Sequence, residues 1–401
     1  MRKAYIVSAK RTPIGNFLGS LKDVHPSQLG ATVVKAILAE TSVDPAALDE
    51  VIVGNILSAG LGQGIARQVS IHGGVPESVP AYSVNHVCCS GMKAVMNAVS
   101  VILAGHAELI LAGGVESMSQ APFILPGKVR GGNKLGDLNA VDHIIHDSLT
   151  DAFQGYHMGI TAENIAEKYS ISREAQDAYA IDSQKKAIAA VDAGLFKKEI
   201  VLVPIRVGRQ EGVFEIDEYP NRTTSLEKAA GLRPVFKKDG TVTPGNASGI
   251  NDGASFTLIA SEEAVKKHNL QPLAEIVSCG QVGIDPAVMG LGPVGAVKKA
   301  LEAASLTLND MDLLELNEAF AAQSLGVLHE LSAEHSMSQE EISAKSNVTG
   351  GAIALGHPIG ATGNRILVTL AHALQRNDLT YGLAALCAGG GMGTAVLIKK
   401  S

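Results

Sequence analysis

Three residues of this chain combine a reactive side chain with a glycine-rich turn. Cys88 stands in Val84-Asn85-His86-Val87-Cys88-Cys89-Ser90-Gly91, His357 in Gly356-His357-Pro358-Ile359-Gly360, and Cys387 in Cys387-Ala388-Gly389-Gly390-Gly391. The β-rich run 81–87 stops at the first of these, and Met92, Val95, Met96, Val99 and Leu103 then recur at helical spacing until Gly105. This pattern predicts a strand-to-helix turn with Cys88 at the positive end of the helix dipole, where unpaired N–H groups favour a thiolate. A thiol so placed is a candidate nucleophile. Its alternative is an inert core cysteine; two further reactive groups at similar turns favour the nucleophile. Cys89 points elsewhere, and a disulfide between these neighbours would be strained, so it reads as a small packing residue.

A nucleophilic thiol needs a base, and acyl transfer needs fixed donors for its oxyanion. His357 precedes a helix in a glycine-rich loop and is either that base or a structural histidine. Cys387 is either a second acid/base, because a thiol pKa of about 8.5 is tunable, or a buried cysteine in a turn. The glycines after it let a ligand come close and offer N–H groups to an oxyanion. Asn317, opening Asn317-Glu318-Ala319-Phe320, either caps a helix or orients a water or carbonyl through its amide.

Other patterns lead elsewhere and fail. Four cysteines without a C-x-x-C pair form neither a disulfide framework nor a zinc site. His329-Glu330 with His335 misses the zinc-helix spacing, which puts the second histidine at Ala333. Gly290-Leu291-Gly292-Pro293-Val294-Gly295 matches the dinucleotide fingerprint, but Pro286 and Pro293 crowd it and no strand runs directly into it. An NAD-dependent dehydrogenase rests on that match alone. Asn246-Ala247-Ser248-Gly249 is not the G-x-S-x-G elbow of serine hydrolases. The net charge of −7 comes with no basic stripe interleaved with aromatics, so nucleic acid is not an expected partner. The most apolar stretch, 94–114, is broken by Asn97, His106 and Glu108, so no membrane span is expected. Residues 1–15 do not read as a signal peptide and the final Lys-Lys-Ser is not a peroxisomal address, which makes the cytoplasm the expected location.

The elements that must hold these groups read as α/β. The 401 residues are 46% apolar, with 43 glycines and no tryptophan, a composition suited to closely packed strands and helices. Runs at 4–8, 51–56 and 108–112 read as buried strands, with helical stripes between them; this alternation predicts a mostly parallel, helix-covered sheet. Residues 121–140 are rich in Gly, Pro and Lys and lack a period. Helices are expected near 159–169 and 172–193, and 201–245 alternates short β-like runs with charged turns, so 121–249 reads as an inserted subdomain over the sheet. Regular patterning resumes at 254–260 and 273–278. A helix over 361–375 and a strand over 381–386 then echo the first half: a strand end with Asn, a turn, a helix, a strand ending in glycines.

These motifs, with Ala9-Lys10-Arg11-Thr12-Pro13-Ile14-Gly15 and Gly113-Gly114-Val115-Glu116-Ser117, resemble those of the thiolase family in order and over essentially the whole chain. The resemblance implies a five-layered α-β-α-β-α fold built from two similar halves. Residues 1–120 and 250–271 would form the first half, 272–401 the second, and 121–249 an inserted loop domain for coenzyme A binding and oligomerisation. It implies that Cys88 takes an acyl group from a thioester, that His357 activates Cys88, and that Cys387 removes or returns the α-proton of acetyl-CoA. Asn317 and His357 would hold a water in one oxyanion hole, and the N–H groups of Cys88 and Gly389 would form the other.

Finer marks point within the family. His157-Met158-Gly159 with Thr161-Ala162-Glu163-Asn164, and Ser248-Gly249-Ile250-Asn251-Asp252-Gly253, are similar to the short-chain, acetoacetyl-CoA-type members. Ser248, His157, Met158, Leu149, Phe236, Met289, Ala319 and Phe320 would then line the pantetheine channel. The implied activity is acetyl-CoA C-acetyltransferase, with acetyl-CoA, acetoacetyl-CoA and CoA as partners, no further cofactor or metal, and a homotetramer as the assembly. A degradative 3-ketoacyl-CoA thiolase of wider chain length is the alternative, and a non-catalytic acyl-CoA or lipid-binding relative a more distant one. Cys89, Ala388 and Pro244 depart from residues usual in the family and bear on pocket shape.

Overall fold

The computed structural model describes residues 2–401. Its sheet runs, in spatial order, through strands Leu313–Leu316, Tyr381–Ala388, Met392–Lys400, Ala274–Gly283, Ala4–Arg11, Asn251–Ser261, Leu109–Ser117, Glu50–Gly54 and Ala81–Val84, with the short strand Gly15–Asn16 beside Asn251–Ser261. The first four strands belong to the C-terminal half and the rest to the N-terminal half. Among the described residues, the two sets join through three pairs: Ala4↔Ile276, Tyr5↔Glu275 and Ile6↔Ala274.

The strands read as continuous apolar runs because both faces are covered. Side chains alternate across a pleated strand, and each strand here feeds two cores. Leu109 and Leu111 pack with the helices Pro26–Thr41 and Ile65–His72, whereas Ile110 and Ala112 face the opposite side. In the second half Leu383 and Ala385 meet the helices Gly292–Ala304 and Ala321–His335, whereas Ala384, Leu386 and Ala388 face inward. One shared core holds all the inward-facing residues together with the helices Ser90–Leu103 and Ile359–Asn377. The result is five layers: outer helices, half-sheet, two central helices, half-sheet, outer helices. Fifteen of the nineteen residues of Ile359–Asn377 are buried, as expected for a helix enclosed on all sides.

Two expectations need correction. The sheet is mixed, not mostly parallel. Only Leu313–Leu316 with Tyr381–Ala388, and Glu50–Gly54 with its two neighbours, pair in parallel. Tyr381–Ala388 and Met392–Lys400 are joined by a tight turn in which Gly390 and Gly391 take φ of 82° and 80°, and a turn this short forces antiparallel pairing. The β-rich run ending at Val87 is also shorter than its composition suggested. It stops at Val84, because residues 85–89 fold into a turn.

Residues 121–249 hold the helices Met158–Lys168 and Arg173–Asp192 and the hairpin Val203–Val207 with Gln210–Phe214. Arg11, fully buried, pins this excursion to the first strand. Its guanidinium donates to Glu199 at 2.6 Å and to both oxygens of Asp217 at 2.7 and 2.9 Å. The other end is stitched down at Ser248 N–H to Ala319 C=O (3.0 Å) and Ala321 N–H to Asn246 C=O (2.8 Å). No helix among the described residues is long and apolar enough to cross a membrane.

The layers meet most tightly at glycines. A Cβ on Gly114 would lie 2.0 Å from the carbonyl oxygen of Gly360, an atom of backbone that has no rotamer to yield. Gly114→Ala is therefore expected to lower the free energy of unfolding by about 3 kcal/mol or more, read from urea denaturation. A change within about 0.5 kcal/mol, the range of a neutral surface substitution, would contradict this packing.

Candidate active site

The turn carrying Cys88 is held by side-chain oxygens. Asn85 Oδ1 accepts the Val87 N–H at 3.1 Å. Ser90 Oγ accepts the His86 N–H at 2.8 Å and donates to the Val87 carbonyl at 2.6 Å. Val87 has φ of 48°, a left-handed conformation that is costly for a β-branched residue. That strain sits one residue before the thiol, and Cys88 emerges just ahead of Cys89, the N-cap of Ser90–Leu103. Cys88 keeps part of its surface open while protein atoms crowd it. Burial pushes its thiol up to about 11, against the pull of the Gly389 and Cys88 N–H groups. Burial thus acts against the easing toward thiolate expected from the helix end. Loss of water outweighs the hydrogen bonds that would steady a thiolate.

His357 is prepared as an acceptor. Its Nδ1 lies 2.7 Å from Thr362 Oγ1, which lies 2.9 Å from the Pro358 carbonyl. A carbonyl only accepts, so the single hydroxyl proton goes to Pro358 and Oγ1 must accept from Nδ1–H. This leaves Nε2 with a free lone pair, and it is buried without a partner. Burial, reinforced by the positive charge of Arg365, pushes the imidazole down to about 3, so it stays neutral. Asn251 fixes the loop: its Oδ1 accepts the His357 N–H at 2.9 Å, and its amide donates to Gly15 C=O at 3.0 Å. Gly356 takes φ of 99° against that asparagine, which a side chain would not permit.

Cys88, His357 and Gly389 lie on one cavity of about 230 Å³. The same cavity is lined by all eight residues expected in the channel: Leu149, His157, Met158, Phe236, Ser248, Met289, Ala319 and Phe320. The His157 and Phe236 rings stack at 4.5 Å, and Phe320 meets Phe236 edge-on at 6.3 Å. These rings make an apolar slot suited to a long thioester arm. Cys387 does not line the cavity. It is buried behind the wall, packed with Met158, Met289, Ala319 and Phe320; burial holds its thiol well above the ordinary value. Asn317 is not a helix cap, because the helix begins at Ala321 with Phe320 as its N-cap. Its N–H donates to Ala385 C=O at 3.0 Å, while both amide atoms of its side chain are buried without a partner. Buried polar atoms of this kind are rare and call for a ligand or a water.

Several neighbours were not legible as site residues. Met118, Val235, Ile250 and Ile359 line the cavity, and only their apolar character distinguishes them. Pro244, noted as a departure, is also on the wall, whereas Cys89 and Ala388 lie in the central core. Thr362, five residues after the histidine, carried no signal except its hydroxyl. Among the described residues, no three His, Cys, Asp or Glu side chains are grouped to hold a metal ion.

Two family models match the chain: "Thiolase, N-terminal domain" over residues 4–263 and "Thiolase, C-terminal domain" over 270–400. The acetyl-CoA acetyltransferase of Escherichia coli (strain K12) is 51% identical over 400 residues, covering 100% of both chains. Among solved structures, the acetyl-CoA acetyltransferase of Syntrophomonas wolfei superposes with a TM-score of 0.97 at 41% identity, covering 100% of both chains. Human mitochondrial 3-ketoacyl-CoA thiolase in complex with CoA gives 0.93 at 45% identity, covering 100% of this chain and 98% of that one.

The state of His357 has a consequence for stability. Its pKa is lowered on folding, so below about 6.5 the unfolded chain takes up a proton that the folded chain refuses, and acid weakens the fold. A His357→Asn variant lacks this term. The stability gap between wild type and variant is expected to move in the variant's favour by about 2 kcal/mol between pH 7 and pH 5, read from denaturation curves at each pH. A gap independent of pH would contradict a histidine kept neutral by burial.

Proposed function

The chain belongs to the thiolase family, and from that premise we propose that it is an acetyl-CoA C-acetyltransferase that condenses two acetyl-CoA reversibly into acetoacetyl-CoA and CoA. The relatives that carry this name match it end to end. The observation that carries the reaction is the lone pair on His357 Nε2, buried and unpartnered on the same cavity as the Cys88 thiol.

With the thiol held high and the imidazole held low, the resting pair is neutral and proton transfer accompanies attack. Cys88 sulfur adds to the thioester carbonyl as its proton passes to His357 Nε2. The CoA sulfur leaves and takes that proton, and Cys88 keeps the acetyl group. The Cys88 and Gly389 N–H groups receive the oxyanion of this step. For the second half-reaction Cys387 first gives up its own proton to solvent. The thiolate then takes an α-proton from a second acetyl-CoA, and the enolate carbon attacks acetyl-Cys88 and expels the Cys88 sulfur, which takes a proton back from solvent. A water held by Asn317 and His357 receives the enolate oxygen. In cleavage the same steps reverse, and the proton that burial keeps on Cys387 returns to the α-carbon. The scheme runs two half-reactions by a ping-pong route, with Cys387 behind the wall of the cavity that Cys88 and His357 line.

Acetyl-CoA, acetoacetyl-CoA and CoA are thus the partners, with the cytoplasm as the location and no cofactor beyond the thioesters. Residues 121–249 serve as an inserted loop domain between the halves 1–120 with 250–271 and 272–401. A homotetramer is supported by the apolar side chains this segment leaves exposed, among them Phe123, Leu125, Leu135 and Leu138.

A degradative thiolase is the second reading, favoured by the likeness to the human 3-ketoacyl-CoA enzyme. Thiolysis rates separate the two: kcat/KM for acetoacetyl-CoA is expected to exceed that for a long-chain 3-ketoacyl-CoA by about 100-fold or more, the worth of a few poorly fitting methylenes. Equal values would favour the degradative reading. Cys387→Ser is expected to lose α-proton exchange of acetyl-CoA, measured by deuterium uptake, by about 100-fold or more while still accepting an acyl group at Cys88. Unchanged exchange would remove Cys387 from the scheme.

A further inference from the structure

We propose that Glu116 is a positioning residue for Cys88 and His357, a single carboxylate that ties the turn bearing the base to the half of the molecule bearing the nucleophile. The inference rests on the reading of Cys88 and His357 given above. Glu116 lies near the end of Leu109–Ser117, is completely buried, and has no part in the reaction scheme.

Its two oxygens accept four N–H groups. Oε1 takes the Asn55 amide at 2.9 Å and the Leu57 N–H at 3.2 Å. Oε2 takes the Ile56 N–H at 3.1 Å and the Gly360 N–H at 3.0 Å. The first three donors form the loop after Glu50–Gly54. That loop is itself bonded to the strand leading into Cys88, through Asn55 N–H to the Val84 carbonyl at 3.1 Å. The fourth donor, Gly360, stands three residues after His357 in the first turn of Ile359–Asn377. Glu116 therefore reaches the strand leading to the nucleophile through three donors of one loop and the base's turn through a single donor, Gly360. A Cβ on Gly360 would lie 2.6 Å from Oε2, so this approach requires the glycine.

The chemistry of the donors also defines the side chain. All four partners give protons and none accepts one, which suits a carboxylate and no other residue type. In Glu116→Gln, either orientation of the amide turns its NH₂ against two N–H donors. Glu116→Asp keeps the charge but is one methylene too short to reach all four. Burial pushes the Glu116 carboxyl up to about 8 against the pull of the Ile56, Leu57 and Gly360 N–H groups, so it is charged in the range where the Cys88 thiol titrates. There it opposes a thiolate, and its removal has a signature at the sulfur itself.

The test compares both variants with wild type in acetoacetyl-CoA thiolysis, in thermal melting, and in the pH dependence of Cys88 alkylation by iodoacetamide. Both are expected to lose about 100-fold in kcat, the cost of misplacing reacting groups by an ångström, with KM changed by less than about threefold. Glu116→Gln is expected to move the alkylation midpoint down by about half a pH unit or more, whereas Glu116→Asp leaves it in place. A folded Glu116→Gln with wild-type kcat, or one whose midpoint does not move, overturns the proposal. Should neither variant fold, Asn55→Ser removes a single donor; a kcat reduced about threefold to tenfold at constant KM supports it, and an unchanged kcat overturns it. Wild-type enzyme without thiolysis would refute the functional reading instead, and the alkylation midpoint would still decide for Glu116.

Discussion

Everything at this site depends on how closely two buried helices can bring their first turns together. Cys88 precedes one and His357 the other, and they come from opposite halves of the chain. The crossing is built from glycines. A Cβ on Gly91 would lie 2.8 Å from the Gly360 carbonyl oxygen, and one on Gly363 would lie 2.5 Å from the Met92 nitrogen. Nothing larger fits where backbone meets backbone. The five layers follow from the same constraint, because two helices packed this tightly and buried on all sides need a half-sheet on each flank and outer helices to cover the sheets.

Burial at the crossing also sets the chemistry. The thiol is held in its protonated form and the imidazole in its neutral form, so in the proposed scheme charge appears only as acyl transfer proceeds. In that scheme the Cys88 and Gly389 N–H groups are the donors for the developing charge, and fixed donors need no reorganisation at that moment. Among the buried polar atoms that the protein itself leaves unpaired, Nε2 of His357 and both amide atoms of Asn317 belong to this small region. Around it, polar groups are paired through short chains: Thr362 between His357 and Pro358, and Asn251 between His357 and Gly15. The histidine thus has one free nitrogen and one fixed one, and that asymmetry defines its tautomer.

Much of this was legible in the residues. The period of Met92, Val95, Met96 and Val99 marks a helix, and the apolar runs mark strands covered on both faces. The reactive groups announce themselves by standing beside glycine. Three things were not legible, each for a physical reason. Strand direction depends on how the chain returns: the three-glycine turn after Ala388 makes a hairpin where alternation with helices suggested parallel pairing. The state of Cys88 depends on desolvation, which is a property of the packed site, whereas the helix end that favours a thiolate is visible locally. One of the two readings of Asn317 was a cap, because it precedes an apolar helix, yet the helix starts only at Ala321 with Phe320 as its N-cap. Glu116 was visible only as part of a motif, because its four donors are gathered from two stretches of chain far apart in sequence, residues 55–57 and Gly360.

The central claim is that Cys88, and not its neighbour or its counterpart in the second half, carries the acyl group. Mass spectrometry tests it most directly. The protein is mixed with acetyl-CoA, quenched in acid and digested, and the peptides are fragmented far enough to separate Cys88 from Cys89. The account predicts an acetyl group on Cys88 alone, with Cys89 and Cys387 as free thiols. Acetylation of Cys387 or Cys89 with Cys88 unmodified, or no acetyl-enzyme at all, would contradict it.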